Sequence, residues 1–264
     1  MPSAVVAACL YIAVSILQAR RASRRSDDSP APVYALATVA VLLHGYAALS
    51  TMHTGTGVNF GLLNVMSLVF CLINLSLLMA LLRRPLQNLM VILFPISALV
   101  TLSAALSPER GTMLESVSGG LLTHIGTSVL AYAVLTLAAC QAGAVALQDY
   151  QLRHRQTRGL VQLLPPLQLM ESMLFEIVWL GLILLTVAIA SGFIFIDDIF
   201  AQHLVHKTVL SICAWLLFAT LLWGHHQLGW RSTTAARFTL GGFFALLLAY
   251  AGSKFVLEIV LQRV

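Results

Sequence analysis

Stretches of about twenty apolar residues recur along the whole chain, and that recurrence restricts its fold more than any motif does. A helix rises about 1.5 Å per residue, so about twenty residues match the roughly 30 Å of hydrocarbon in a bilayer. Eight such spans are read, at residues 3–17, 33–52, 62–82, 89–106, 121–147, 174–196, 208–223 and 238–261. Of the 264 residues, 59% are hydrophobic and only 9% charged, whereas a soluble domain carries about a quarter charged residues. Helices in lipid satisfy their own backbone and can present apolar side chains outward. The expected fold is therefore an all-α, polytopic membrane bundle of about eight transmembrane helices, organised as a single domain over residues 1–264.

Lys and Arg in short loops are retained on the cytoplasmic side. Arg20, Arg21, Arg24 and Arg25 follow the first span, Arg83 and Arg84 the third, Arg153, Arg155 and Arg158 the fifth, and Arg231 and Arg237 the seventh. These alternate loops hold most of the basic residues and predict that both termini face outward, into the periplasm. Retention beside anionic lipid also accounts for the net charge of +5 without a nucleic-acid partner. The arginines come after the first apolar span, where a cleavable signal would carry its charge before it, so that span is read as a retained helix. Cys9, Cys71, Cys140 and Cys213 fall in four different spans and form no C-x-x-C pair, which argues against thiol exchange.

The breaks between spans are too short for a domain outside the membrane, so any chemistry belongs in the bilayer or in shallow outer loops. No H-E-x-x-H, G-x-S-x-G or phosphate-cradling loop occurs, and the chain is not expected to be an enzyme. Ionisable groups in lipid are costly and mark sites, which directs attention to the histidines. His44 lies near the middle of the second span. His53, His124, His203 and His206 fall at outer ends of spans, where imidazoles from different helices could share one layer and clamp a haem iron. Asn64, Ser67, Cys71 and Asn74 draw a polar stripe along the third span, suited either to interhelical hydrogen bonding or to a cofactor wall. Lys254 and Glu258 stand four apart and can neutralise each other. Asp197 and Asp198 have no Gly-rich calcium-loop pattern around them.

From the fifth span onward the sequence resembles a known family. His124-Ile-Gly-Thr-Ser-Val-Leu-Ala-Tyr132-Ala, continuing to Gln148-Asp149-Tyr150-Gln151-Leu152, is similar to the haem-handling cytochrome c assembly proteins of the CcsA and CcmC type. The likeness extends through the proline-led stretch from Pro166 to Gly181 and Gly192, then Lys207, Ser211, Trp215 and Gly229-Trp230-Arg231. It implies a multi-pass protein of the bacterial inner (plasma) membrane that binds haem b and works with cytochrome c maturation components. By the same resemblance His124 matches the family's first outer haem ligand. The Trp-rich outer segment of the family is replaced by residues 195–206, which contain no Trp; the second outer histidine falls at Leu261, and the in-membrane histidine at Trp223. His203 or His206 is the expected substitute outer ligand, and His225 lies two positions from the lost inner one. The expected cofactor-binding residues are thus His124, His206, His203 and His44, with His124 on the haem iron. An alternative is an accessory or assembly subunit of another membrane complex that keeps the scaffold without haem. A small-solute transporter using His44 and the polar stripe is least supported, because no inverted-repeat signal occurs.

Overall fold

Eight helices carry the chain in the computed structural model, which describes residues 1–24, 29–54, 57–59, 61–106, 113–114, 119–155, 164–195 and 205–249. They are α1 (Pro2–Arg24), α2 (Ala31–Met52), α3 (Leu62–Leu81), α4 (Asn88–Leu106), α5 (Gly119–Arg153), α6 (Leu167–Phe195), α7 (Val205–Leu228) and α8 (Ser232–Leu247). Among the described residues, seven of these are long and apolar enough to cross a membrane. The eighth span, expected at residues 238–261, is described as a helix only in its first part; Lys254, Glu258 and Leu261 lie outside the described residues.

The first seven helices follow the predicted spans, and the longest run beyond them. At 35 residues, α5 is about 50 Å long, well over one hydrocarbon thickness. Its apolar window ends near Leu147, yet nothing there stops hydrogen bonding, and the helix continues through Asp149 until Arg155 turns to a φ of 55°. Pro32, near the start of α2, is tolerated because the first amides of a helix have no internal acceptor. Pro166 sets the start of α6, its carbonyl accepting from the amides of Leu169 and Met170.

The membrane portion is all-α, with a small addition. Three very short strands, β1 (His53–Thr54), β2 (Gly57–Asn59) and β3 (Met113–Leu114), pair antiparallel in the order β1-β2-β3. His53 stands opposite Val58, and Val58 opposite Leu114. Strands of two or three residues are too short to show an alternating pattern, so the sequence carried no sign of them.

The chain packs as two compact units, Met1–Ser116 and Val117–Val264. In the first, α1 packs on α2 and α4, and α3 on the same two helices, forming a four-helix ring. Its interior mixes large apolar side chains from α3 and α4, among them Leu77, Leu93 and Phe94, with small residues from α1 and α2. Ala4, Ala7, Ala8, Tyr11, Val14 and Ser15 face inward from α1, with Ala37, Ala40, Ala47 and Ala48 from α2. Other large apolar side chains of the same helices point out: Leu42 is 67% and Leu99 69% exposed. Small residues let helices approach closely when lipid supplies no hydrophobic drive for association.

Pro95, inside α4, has no N–H to give the carbonyl four residues earlier. Ser15 Oγ on α1 donates to that carbonyl, on Val91, at 3.1 Å.

The second unit packs α5 extensively on α6, with α8 against α5 and α7. Leu135, Ala138, Ala142, Leu174, Val178 and Phe218 lie in its core. Two glycines set the spacing. A Cβ at Gly181 would collide with Leu135, and one at Gly242 would stand 2.8 Å from Phe218.

Candidate functional site

His124 lies in the second turn of α5, half-buried against α6. Its Nδ1 is 2.9 Å from the carbonyl oxygen of Ala188 and 3.3 Å from Ser191 Oγ. A carbonyl can only accept, so Nδ1 carries the proton and donates, which leaves the lone pair on Nε2. An imidazole with Nδ1–H tied to a backbone carbonyl and Nε2 available is arranged as a metal ligand. The ring lies close on the helix because residue 192 is glycine: a Cβ there would stand 3.0 Å from His124 Cε1. One turn nearer the start of α5, Gly120 similarly makes room for Phe195. Further along, Trp215 Nε1 on α7 donates to Thr186 Oγ1 on α6 at 2.8 Å, and Tyr132 packs against Phe243.

His44 is in a different setting, fully buried in the core of the first unit. Its Nδ1 is 3.0 Å from the Tyr11 hydroxyl and its Nε2 3.1 Å from Ser67 Oγ, so both ring nitrogens are engaged. Tyr11 also packs edge-on against Phe94. The stripe predicted along α3 points into this core. Ser67 meets His44, Cys71 Sγ approaches the Val41 carbonyl at 3.9 Å, and Asn74 Nδ2 donates to Ser97 Oγ at 2.8 Å. Each polar side chain of the stripe that is buried finds a partner on a neighbouring helix, which is the interhelical hydrogen-bonding reading of the stripe.

A third polar cluster closes the opposite end of the second unit. Glu171 on α6 accepts the backbone amide of Ser232 at 2.8 Å and also its hydroxyl, at the first residue of α8. Asp149 accepts from Arg153 Nε at 2.9 Å and from Thr233 Oγ1 at 3.4 Å. Both carboxylates sit where the free amides of a helix N-terminus favour negative charge. Ser232 adopts a φ of 43°, in the left-handed region. His225 stacks on Phe175 with ring centroids 3.5 Å apart, and its Nδ1 is 2.9 Å from the Trp230 carbonyl.

Of the imidazole layer predicted for the outer face, His124 and His53 have described side chains, one in each compact unit. His53 is exposed on β1. His206 is the second residue of α7 by backbone, and His203, Asp197 and Asp198 lie outside the described residues. Trp223, at the family's inner histidine position, is 58% exposed on α7. Among the described residues no three His, Cys, Asp or Glu side chains converge as a metal cluster. Sequence reasoning passed over Tyr11, Ser191 and Glu171. A tyrosine in mid-span and an acid just past a Pro-Pro break were visible signals, whereas Ser191 gains its role only from the helix opposite.

Comparisons with known proteins agree with the resemblance. The family described as cytochrome C assembly protein matches residues 31–261. Inner membrane protein YpjD of Escherichia coli (strain K12) is 34% identical over 205 residues, 78% of each chain. A protein of Azospirillum brasilense, titled uncharacterized 28.8 kDa protein in nifR3-like 5'region, is 33% identical over 140 residues, 52% of each chain. No solved structure matches the chain.

Proposed function

The chain belongs to the cytochrome c assembly protein family, and from that membership and the setting of His124 we propose a haem-binding protein of the bacterial inner membrane connected with cytochrome c maturation. The inner-membrane placement is supported by the name of its Escherichia coli relative together with seven membrane-length helices. One observation carries the haem reading: His124 Nδ1 donates to the Ala188 carbonyl, so the lone pair that iron would take is on Nε2, for which no partner is seen among the described residues. In this reading His124 would hold haem b through its iron, and His206 or His203 is the candidate for a second ligand. Haem, when bound, supplies an iron that accepts imidazole lone pairs and can change oxidation state. The protein's part is to orient His124 and to hold its proton at Nδ1. His44 is left out of the ligand set, because either nitrogen would have to give up Tyr11 or Ser67.

The test is the visible spectrum of protein purified in mild detergent from haem-replete cells. Absorption bands of a histidine-ligated haem, lost in His124→Ala, are expected, and His203→Ala and His206→Ala, singly and together, identify the second ligand. Colourless wild-type protein would overturn the reading. It would favour the second one, an accessory subunit that keeps the scaffold without haem. That alternative is supported by Trp223 and Leu261 at the family's histidine positions and by the absence of Trp from residues 195–206. Co-purification of a stable membrane complex with colourless protein would then establish it.

A further inference from the structure

Ser191 and Gly192 are adjacent near the end of α6, and both meet the same imidazole. Ser191 Oγ donates to the Ala188 carbonyl at 2.9 Å, which commits its proton within its own helix. It therefore presents only lone pairs to His124 Nδ1, 3.3 Å away. The Ala188 oxygen, 2.9 Å from that nitrogen, also presents only lone pairs. A proton on Nδ1 is shared between these two acceptors. The other tautomer would set the nitrogen's lone pair against the Ala188 oxygen at 2.9 Å, which has no proton to give, and would require the serine hydroxyl to leave that carbonyl and turn to the ring.

Gly192 decides a second matter, where the ring lies. A Cβ at this position would come within 3.0 Å of Cε1 and 3.3 Å of Nδ1, closer than such contacts ordinarily stand. Because α6 is a regular helix and the imidazole is only half-buried, the ring would move rather than the backbone. That movement lengthens the bond to Ala188, and with it goes the arrangement that holds the proton at Nδ1.

We propose that Ser191 and Gly192 are the positioning residues of the His124 site: the serine hydroxyl and the bare glycine face together select the tautomer and seat the ring. The proposal takes the identity of the ligand, haem, from the reading above, but it concerns side chains that can be measured without haem. Removing an acceptor from Nδ1–H makes the imidazole a weaker donor to iron, since partners of the outer nitrogen raise ligand basicity.

The experiment uses the full chain labelled with ¹⁵N in the histidine rings, haem-free and reconstituted in lipid, with His124→Ala to assign the resonance. Wild-type His124 is expected in the Nδ1–H form. Ser191→Ala should shift its Nδ1 signal toward a weaker hydrogen bond, Ser191→Thr should restore it, and Gly192→Ala should populate both tautomers. In haem-loaded protein, Ser191→Ala should move the midpoint potential to more positive values with rescue by Ser191→Thr, and Gly192→Ala should lower haem affinity about tenfold or more. A wild-type His124 protonated on Nε2 overturns the proposal, as does an Nδ1 signal unmoved by both Ser191→Ala and Gly192→Ala. Unchanged melting temperatures exclude a general loss of structure. Colourless wild-type protein defeats the haem reading alone, since the ring resonances still decide the role of these two residues.

Discussion

Ser15 and Val91 are joined across α1 and α4 by a 3.1 Å hydrogen bond to the very carbonyl that Pro95 leaves without an intrahelical donor. In hydrocarbon an unpaired carbonyl costs several kcal/mol, so a helix with an internal proline needs a donor from elsewhere. A serine 76 positions earlier in the chain supplies it.

The Ser15–Val91 bond is only part-buried, so Ser15→Ala should lower stability by about 1–3 kcal/mol, less than full exposure of the carbonyl to hydrocarbon would cost. The revealing variant is the double one. Pro95→Ala restores an amide four residues after Val91, so Ser15→Ala should cost far less in that background. Unfolding in detergent or bicelles measures both; equal costs in the two backgrounds would refute the link.

The hydrogen bonds from Tyr11 through His44 to Ser67, at 3.0 and 3.1 Å, make the three side chains one unit. Tyr11→Phe or Ser67→Ala alone should cost about 1–2 kcal/mol each, because each leaves an imidazole nitrogen unpaired in the core. Combined with His44→Leu, the further loss from either should be much smaller, since neighbours in one network are not additive. His44→Leu should leave any haem spectrum unchanged. A bleached spectrum would put His44 on the iron.

Glu171 is predicted to be the fastening of α8. It is buried and holds both the amide and the hydroxyl of Ser232, a residue kept at a φ of 43°. Glu171→Ala should destabilise the protein by about 2–3 kcal/mol, the scale of a lost charge-assisted hydrogen bond with its partners left unpaired. Glu171→Gln keeps one accepting oxygen and should lose less than half of that. Hydrogen exchange localises the effect: faster exchange in the first turn of α8 is expected for the alanine variant, and uniform exchange along the helix would contradict it.

Orientation is testable apart from stability. Single cysteines placed at Arg24, Arg84, Arg153 and Arg231, in a background without the four native cysteines, should all be shielded from an impermeant thiol reagent added outside intact cells. A cysteine at His53 should react. Labelling of Arg24→Cys and Arg231→Cys from opposite faces would overturn the assigned topology.

Among the described residues, the number and order of the helices were legible in the sequence, because span length is set by bilayer thickness and apolar runs report it directly. The Pro165-Pro166 break before α6 was equally plain, and His124 was found through the residues around it. The three-stranded sheet was not, since two or three paired residues leave no periodicity. The sequence separated His44 from His124 by depth and by the residues around His124, but not by the hydrogen-bond partners of each ring, since both stand in apolar spans. Those partners are a phenol and a hydroxyl on one side, a carbonyl and a bare glycine face on the other.

By itself, then, the sequence determined that the chain enters lipid and which segments are long and apolar enough to cross it, because backbone polar groups must be satisfied within each helix and that condition is local. Which imidazole keeps a free nitrogen was decided only by tertiary structure. A hydrogen bond between helices depends on which faces meet, and residues 64 positions apart, as His124 and Ala188 are, carry no local record of that meeting.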